Sequence, residues 1–552
     1  MEVWNDVFLF NSAYRRFEVG RISFDNLIRH VEWGASPMQG ERRRYVVPGF
    51  CDIHMHIESS MMNPTEFSHA SIIHGTTTIV SDCHEVANVF GLEGLESFMR
   101  FPVVNDTFYA VPSSVPASSS ALETSGGAFD AYEAEKLCEN KKIIALGEVM
   151  NAQDLFSSED NRTKRIINVM RQKRPDCPLE GHCPDLSGAL LDDFLASGVN
   201  SDHTSQTPAS IREKSAKGMF LEIQYKSLSA ENLKALSEIP GYFSFCTDDV
   251  LPDVLAAEGH LDRVLRKAIG LGMKPEEVVY AATTSPAMRM RLYDRGVLAP
   301  GKLADFVVLD DLQTLSIAQV YKQGRLVFDR ERGLLVHQSL PEIPSSVLHS
   351  INRKPVVAED FIPRCPDGKR NIMTIKHTPH STMTEIGHKE VEVKDGTVPL
   401  EGLNIIASVE RYGHQEPISV SLLEGGLTRR GAICSSWAHD SHNLLVMATD
   451  AEFAAKAVNL VITRQGGIAA VDETGVVFLP LAYGGIVSVD TWDGLSRGVS
   501  AIRTWLKDHG YQADEEVMSF AVLALPVSPR LKVTDKGLVD VHAKRLVDWR
   551  NG

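Results

Sequence analysis

Two histidines one residue apart, His54 and His56, end an apolar run in "VVPGFCDIHMHIESSMM", residues 46–62. In an extended segment, side chains two apart point the same way, so both imidazoles can reach one ion. A His-x-Glu pattern, His56 and Glu58, lies in the same stretch, and a His-Glu pair, His84 and Glu85, closes the next apolar run. Zinc deaminases built on His-x-Glu also need Pro-Cys-x-x-Cys. The eight cysteines stand at 51, 83, 138, 177, 183, 246, 365 and 434, and no Cys-x-x-Cys occurs. The nearest fragment, "DCPLEGHCP" at 176–184, has the wrong spacing. Position 88 is Asn, so there is no His-Glu-x-x-His metalloprotease helix either. Alone, the His54/His56 pair is weak evidence for a metal, and partners elsewhere must decide.

Those partners fall at the ends of other apolar runs. Glu148 lies near the end of "KKIIALGEVM", His182 in "CPLEGHCP", His203 in "GVNSDHT" and Asp248 in "GYFSFCTDD". Eight such runs occupy residues 46–250, with helical patterns between most of them, for example "ALLDDFLAS" at 189–197 and "SAENLKALSEI" at 229–239. Repeating strand–helix units predict a parallel sheet with right-handed crossovers. Eight units suit an α/β fold of the (β/α)8 TIM-like barrel type, whose C-terminal strand ends gather the functional groups. The fifth run has weak strand propensity. Closure of the barrel would bring four imidazoles and two carboxylates together. Nitrogen and oxygen ligands without thiolate suit Zn, Fe or Mn. Glu148 could bridge two ions about 3.5–4 Å apart, and Asp248 is placed to take a proton from a metal-activated water. The chemistry is metal-assisted hydrolytic attack on a carbon. Singly, Glu148 or Asp248 would read as a helix cap or a solvated acid, and His182 as a turn residue. Their joint placement at the ends of runs 1, 4, 5, 6 and 8 favours the metal site. His69, His74 and His260 fall in or beside helical patterns and read as structural.

The elements that must position these residues divide the chain. With 552 residues, two or three domains are expected. Residues 1–45 and 296–335 are β-rich and predict one small β domain from both flanks of a barrel spanning 46–295. Residues 339–363 read as a linker, and 366–552 as a C-terminal α/β domain. In that last part "EFAAKAVNLVITRQG" is an amphipathic helix, and "GGIAAVDETGVVFLPL" a hairpin turning near Glu473-Thr474-Gly475. The formal charge of −16 argues against nonspecific binding to nucleic acid or an anionic membrane. No apolar run reaches 18 residues and no signal peptide is evident, so a cytoplasmic protein with reduced cysteines is expected.

Taken together, these segments resemble the adenine deaminase family of the metal-dependent amidohydrolase superfamily. "PGFCDIHMHIESSMMNPTEF" and "GTTTIVSDCHEVANVFG" resemble its first two blocks, with Cys83 where the family has proline. "LGEVMN", "EGHCPDLSG", "SDH", "TDD", "EGHLDRVLRKAI" and "GVLAPGKLADFVVLDD" match later ones, and "RRGAICSSWAHDSHNLLV" resembles a block of the family's C-terminal domain. The resemblance implies a metal shell of His54, His56, Glu148, His182, His203 and Asp248. It implies two divalent ions, Mn or Fe first and Zn as a third choice. The reaction would convert adenine and water to hypoxanthine and ammonia, with Asp248 carrying a proton from water to the leaving amine. Glu58, His84 and Glu85 are the candidates for protonating a ring nitrogen. His439 and His442 are three apart, so a helix would put both on one face, reaching the barrel mouth; a structural role is the equal alternative. The partners implied are a small purine and water, with no nucleic acid and no membrane, in a homo-oligomer. The chain departs from the family at Thr204, where glutamate is usual, at Gln224, Tyr225 and Lys226, where Arg-Glu-Gly is usual, and at Tyr412. These departures keep two alternatives open: a divergent amidohydrolase of another amino-purine or cyclic amide, and a non-catalytic barrel that binds a metal or ligand.

Overall fold

All eight apolar runs become parallel strands. The computed structural model describes residues 1–34, 44–379 and 381–550. Phe50–Met55 (β1), Thr76–Ser81 (β2), Asp106–Val111 (β3), Ile143–Val149 (β4) and Leu179–Gly181 (β5) form one parallel sheet in chain order. Ser201–Asp202 (β6), Phe220–Ile223 (β7) and Phe243–Phe245 (β8) form a second. Every residue of β1 and β2 is buried, as expected of parallel strands covered on both faces. The two sheets are joined at both edges. Asn200 N–H donates to Leu179 O at 3.2 Å between β5 and β6, and Asp248 N–H donates to His54 O at 3.1 Å between the end of β8 and β1. This arrangement fits a TIM-like barrel. The weak fifth run is a strand of only three residues.

Crossover helices begin where the sequence supplies caps. Asn63 accepts from Glu66 N ahead of Pro64–Ile72, Asp130 caps Ala131–Cys138, Thr207 caps Pro208–Ala216, and Ser229 caps Ala230–Leu236. The side-chain oxygens satisfy amide groups that the first turn leaves free.

Both chain flanks share one eight-stranded sheet. It includes Glu2–Asn11, Arg16–Phe24 and Ile28–Trp33 from the start and Phe306–Leu309, Ile317–Lys322, Arg325–Asp329 and Gly333–Leu334 from beyond the barrel. Tyr45–Pro48 joins the two halves, parallel to Glu2–Asn11 and antiparallel to Phe306–Leu309. The first apolar run is therefore split. Its "YVVP" half serves the flank sheet, and only "FCDIHM" enters the barrel.

The C-terminal part is built on a second eight-stranded sheet, covered by helix Ala451–Thr463, whose Ala454, Ala457, Val458 and Val461 are buried. Gly467–Asp472 and Val476–Pro480 form the hairpin read from the sequence, its turn held by Asp472 accepting from Thr474 and Gly475 amides. One contiguous apolar core includes Met61, Met62 and Phe67 beside the barrel mouth and Trp437, Tyr483 and Val487 from the C-terminal part. Ser488 N–H donates to Met61 O at 2.7 Å, and Asn63 donates to Ser488 O at 3.1 Å across the same junction.

Candidate active site

His54 lies in β1 with His56 just beyond its end, Glu148 is next to last in β4, His182 and His203 directly follow β5 and β6, and Asp248 lies in the segment after β8. All six gather at the C-terminal strand ends. Nε2 of His56 lies 3.2 Å from Asp248 Oδ1 and 3.3 Å from Glu148 Oε1. Nε2 of His54 lies 3.6 Å from the same Asp248 oxygen. On the other side, Glu148 Oε2 is 2.7 Å from His182 Nδ1 and 3.3 Å from His203 Nε2. The rings of His54 and His203 stack at 3.7 Å. Glu148 thus spans two groups, with one oxygen toward His56 and the other toward His182 and His203.

The donor atoms of His54, His56 and Asp248 lie within 4.8 Å of one another, as do those of Glu148, His182 and His203. His54 Nε2 is buried and has no hydrogen-bond partner among the described residues. A buried imidazole nitrogen left open beside two carboxylates is what a divalent cation would satisfy, so the residues fit one. His84 with His56 and Glu148, and Glu222 with His54 and His203, meet the same distance test. Burial first, and then the charge of Glu180, push the Glu222 carboxyl well above its ordinary range. A protonated carboxyl is a poor ligand.

The two acids of the set are held ionised. Burial alone would raise both. For Glu148 the charges of His203 and His182 outweigh it, and for Asp248 the charge of His203 and the nearby imidazoles of His54 and His56 do so; both carboxyls lie well below the usual range. Asp248 sits at φ 58°, a left-handed conformation that aspartate tolerates.

Outer contacts orient these ligands. His56 Nδ1 donates to Asp82 O at 2.8 Å, which leaves Nε2 without a proton and open to a cation. Asp82 Oδ2 accepts from Glu148 N at 2.9 Å. A side chain at Gly147 would put its Cβ 2.2 Å from that same carboxylate oxygen, so only glycine fits. Ser113 and Ser114 both donate to Glu148 O. Asp82 is legible in "SDCHE" only as a neighbour of His84; its service to Glu148 comes from strand adjacency.

The three candidate ring-nitrogen acids also converge. Glu58 is fully buried; burial and the charge of Glu85 push its carboxyl up to about 7. Val86 N–H donates to its Oε1. Burial likewise raises Glu85, which accepts from Ser59 Oγ at 2.5 Å. His84 lies edge-on to His56, with ring centres 4.7 Å apart. Burial would lower its pKa, but the carboxylates of Asp440 and Asp82, 3.8 and 3.6 Å from its nitrogens, hold it well above the ordinary value.

His439 and His442 reach the mouth, but on no helix. Residues 439–441 form a turn, and His442 takes φ 53°, which a helix excludes. The turn achieves what the helix was expected to do: His439 Nδ1 lies 3.6 Å from Glu85 Oε1, and His442 Nε2 3.4 Å from Glu85 Oε2.

The departures have definite places. Gln224 donates its amide to Asp248 Oδ2 at 2.6 Å, and Lys226 Nζ stands 4.0 Å from the same oxygen. Tyr225 lies under Arg263 and Lys267. Thr204 turns its hydroxyl onto Asp202 at 2.9 Å, not onto the cluster. His182 is the most exposed of the six and opens on a cleft of about 1480 Å³ whose walls include Ser118, Asn151 and Lys544. His260 is buried and bonded to Thr76, and His69 lies in helix Pro64–Ile72 with Glu66 beside it. Neither shares the cluster.

Two family models match this chain. Residues 45–327 match the amidohydrolase family, and residues 381–545 match the adenine deaminase C-terminal domain. The chain belongs to the amidohydrolase family. It is 42% identical to an adenine deaminase of Clostridium perfringens over 557 residues, covering 98% of this chain and 97% of the relative. It is 41% identical to adenine deaminase 2 of Oenococcus oeni, covering 91% and 88%, and 40% identical to the adenine deaminase of Lactobacillus delbrueckii subsp. bulgaricus, covering 91% and 89%. Within the amidohydrolases it therefore belongs with the adenine deaminases.

Proposed function

We propose that this protein deaminates adenine, converting adenine and water to hypoxanthine and ammonia. The observation that carries the reading is the convergence of His54, His56, Glu148, His182, His203 and Asp248 on one point, in a chain alignable end to end with adenine deaminases. Those six would hold two divalent ions, Mn or Fe before Zn, with one Glu148 oxygen toward His56 and the other toward His182 and His203. Such ions would supply an activated water at neutral pH and stabilise developing negative charge.

The protein's own groups do the rest. Asp248 accepts the proton of the attacking water and returns it to the amino group as the C6–N bond breaks, so ammonia leaves neutral. Gln224 holds the outer oxygen of Asp248 and so fixes which oxygen faces the histidines. Glu58, His84 and Glu85 line the side from which a ring nitrogen is protonated. Glu58, with its carboxyl near 7, can hold and release a proton at neutral pH.

The same reading takes residues 46–295 as a closed (β/α)8 barrel, 1–45 with 296–335 as the small β domain, and 366–552 as the C-terminal domain. All eight cysteines are free thiols, which suits a reducing cytoplasm. Homo-oligomeric assembly belongs to the reading and is measured by light scattering. Ammonia release from adenine, other amino-purines and cyclic amides, with Mn or Fe supplied, tests the function. Adenine should be turned over fastest, and chelation should abolish release. Turnover of another heterocycle without adenine would shift the assignment to a divergent amidohydrolase, the reading that Gln224, Tyr225 and Lys226 favour.

A further inference from the structure

The turn 437–443 links strands Gly431–Ser435 and Leu444–Ala448 of the C-terminal part. Its Trp437, His439, Asp440 and His442 are each at most 5% exposed. Hydrogen bonds fix where the protons sit. Ala438 N–H donates to His442 Nδ1 at 3.2 Å, so that nitrogen carries no proton. Burial and the charge of His439 hold His442 well below its ordinary value, which leaves a neutral ring with its one proton on Nε2. That N–H faces Glu85 Oε2. His439 Nδ1 faces two acceptors, Asp440 Oδ1 at 3.2 Å and Glu85 Oε1 at 3.6 Å, and so carries a proton. Asp440 Oδ2 lies 3.8 Å from His84 Nε2. The turn is itself pinned. The Tyr412 hydroxyl donates to Ser441 O, Asn443 donates to Thr124 O at 2.8 Å, and Trp437 Nε1 donates to Glu58 O at 3.2 Å.

Within this constellation His439 Nε2 is buried without a hydrogen-bond partner among the described residues, while Glu85 Oε2 and Asp440 Oδ2 are met only loosely, by His442 at 3.4 Å and His84 at 3.8 Å. Buried polar atoms left open destabilise a fold unless a ligand meets them. A purine ring, with nitrogens and an amino group around its edge, has the complementary chemistry.

We propose that the turn 437–443 is part of the catalytic apparatus: His439 and His442 hold the Glu85 carboxyl, and Asp440 holds His84, toward the purine ring. The inference rests on the deaminase reading. Glu85 and His84 touch the substrate; His439, Asp440 and His442 act through them and are positioning residues. Tyr412, a departure from the family pattern, anchors the turn.

The test compares two replacements of one residue. His442→Gln keeps an amide N–H near the place of Nε2, and His442→Leu removes it. Ammonia release by the wild type with Mn or Fe is measured first; its absence would overturn the deaminase reading and this inference with it. Given wild-type release, the Gln variant should keep most of kcat, while the Leu variant should lose about 10²-fold, the scale of one proton-transfer group. Metal per chain, read by elemental analysis, should match the wild type in both. Equal turnover in the two variants, or losses that only track lost metal or a lowered melting temperature, would refute the proposal while leaving the deaminase reading intact. His439→Asn against His439→Leu repeats the comparison at the other nitrogen and decides the matter if the His442→Leu chain does not fold.

Discussion

Asp248 meets different chemistry on each oxygen. Oδ1 faces His54 and His56, while Oδ2 accepts from Gln224 and lies near Lys226. This division suits the proposed double role of ligand and proton carrier. Asp248→Asn keeps one ligating oxygen but cannot take a proton. It should retain nearly normal metal by elemental analysis yet lose about 10²-fold or more of kcat. Lys532 offers a pH prediction outside the site. It is fully buried in strand Leu531–Thr534, with Nζ donating to Thr382 O, and burial lowers its pKa from 10.5 to about 7. Between about 7 and 10.5 the unfolded chain binds a proton that the folded chain lacks, so this group's contribution makes stability rise with pH across that window. Melting temperatures should show that rise in the wild type and its loss in Lys532→Met, which should also be the more stable at neutral pH. His54, His56, Glu148 and Asp248 were legible because metal-binding residue types stood at run ends. The bond from Gln224 to Asp248 and the burial of Lys532 were not, because both are set by strand packing.

Strands β5 and β6 are short, and a buried ion pair holds their ends in register. Lys214, from helix Pro208–Ala216, donates to Asp202 Oδ2 at 2.6 Å and to Cys183 O at 3.1 Å, and Cys183 N–H donates to Asp202 Oδ1 at 3.0 Å. Asp202 precedes His203, and Cys183 follows His182, so one pair fixes the spacing of two proposed ligands. Lys214→Met would leave a buried carboxylate without its cation, a change worth about 3 kcal/mol in stability. Denaturant titration should show that loss, and metal per chain should fall more than in Asp248→Asn. At this scale the sequence located the strands but not their clamp. For His439 and His442 it offered a helix as one way to put both on one face, since three-residue spacing fits one, with a structural role as the equal alternative. The turn prevailed because packing against Glu58 and Glu85 sets its conformation, and His442 accepts a left-handed φ there.

The barrel and the C-terminal part share their core. Trp437, Tyr483 and Val487 join the apolar cluster at the barrel mouth, and Arg503 of helix Trp492–Asp508 pairs with Asp253 of helix Pro252–Glu258 at 2.7 Å. A chain of residues 1–365 would expose that contact surface to water. It should be largely insoluble or bind a hydrophobic dye strongly, and should release no ammonia from adenine. A soluble, active fragment would show that the C-terminal part is dispensable.

Strand–helix repetition, helix caps and the placement of His, Glu and Asp at run ends were decided locally, by side-chain type and spacing along a few residues. They determined the barrel-like organisation, the six candidate ligands and the family. Tertiary structure alone decided the rest: that "YVVP" leaves the barrel for the flank sheet, that Glu148 faces two groups of histidines, that Lys214 ties His182 to His203, and that a turn nearly four hundred residues from His56 closes over Glu85. These depend on which surfaces must be buried together, and burial is a property of the whole chain that no single segment carries.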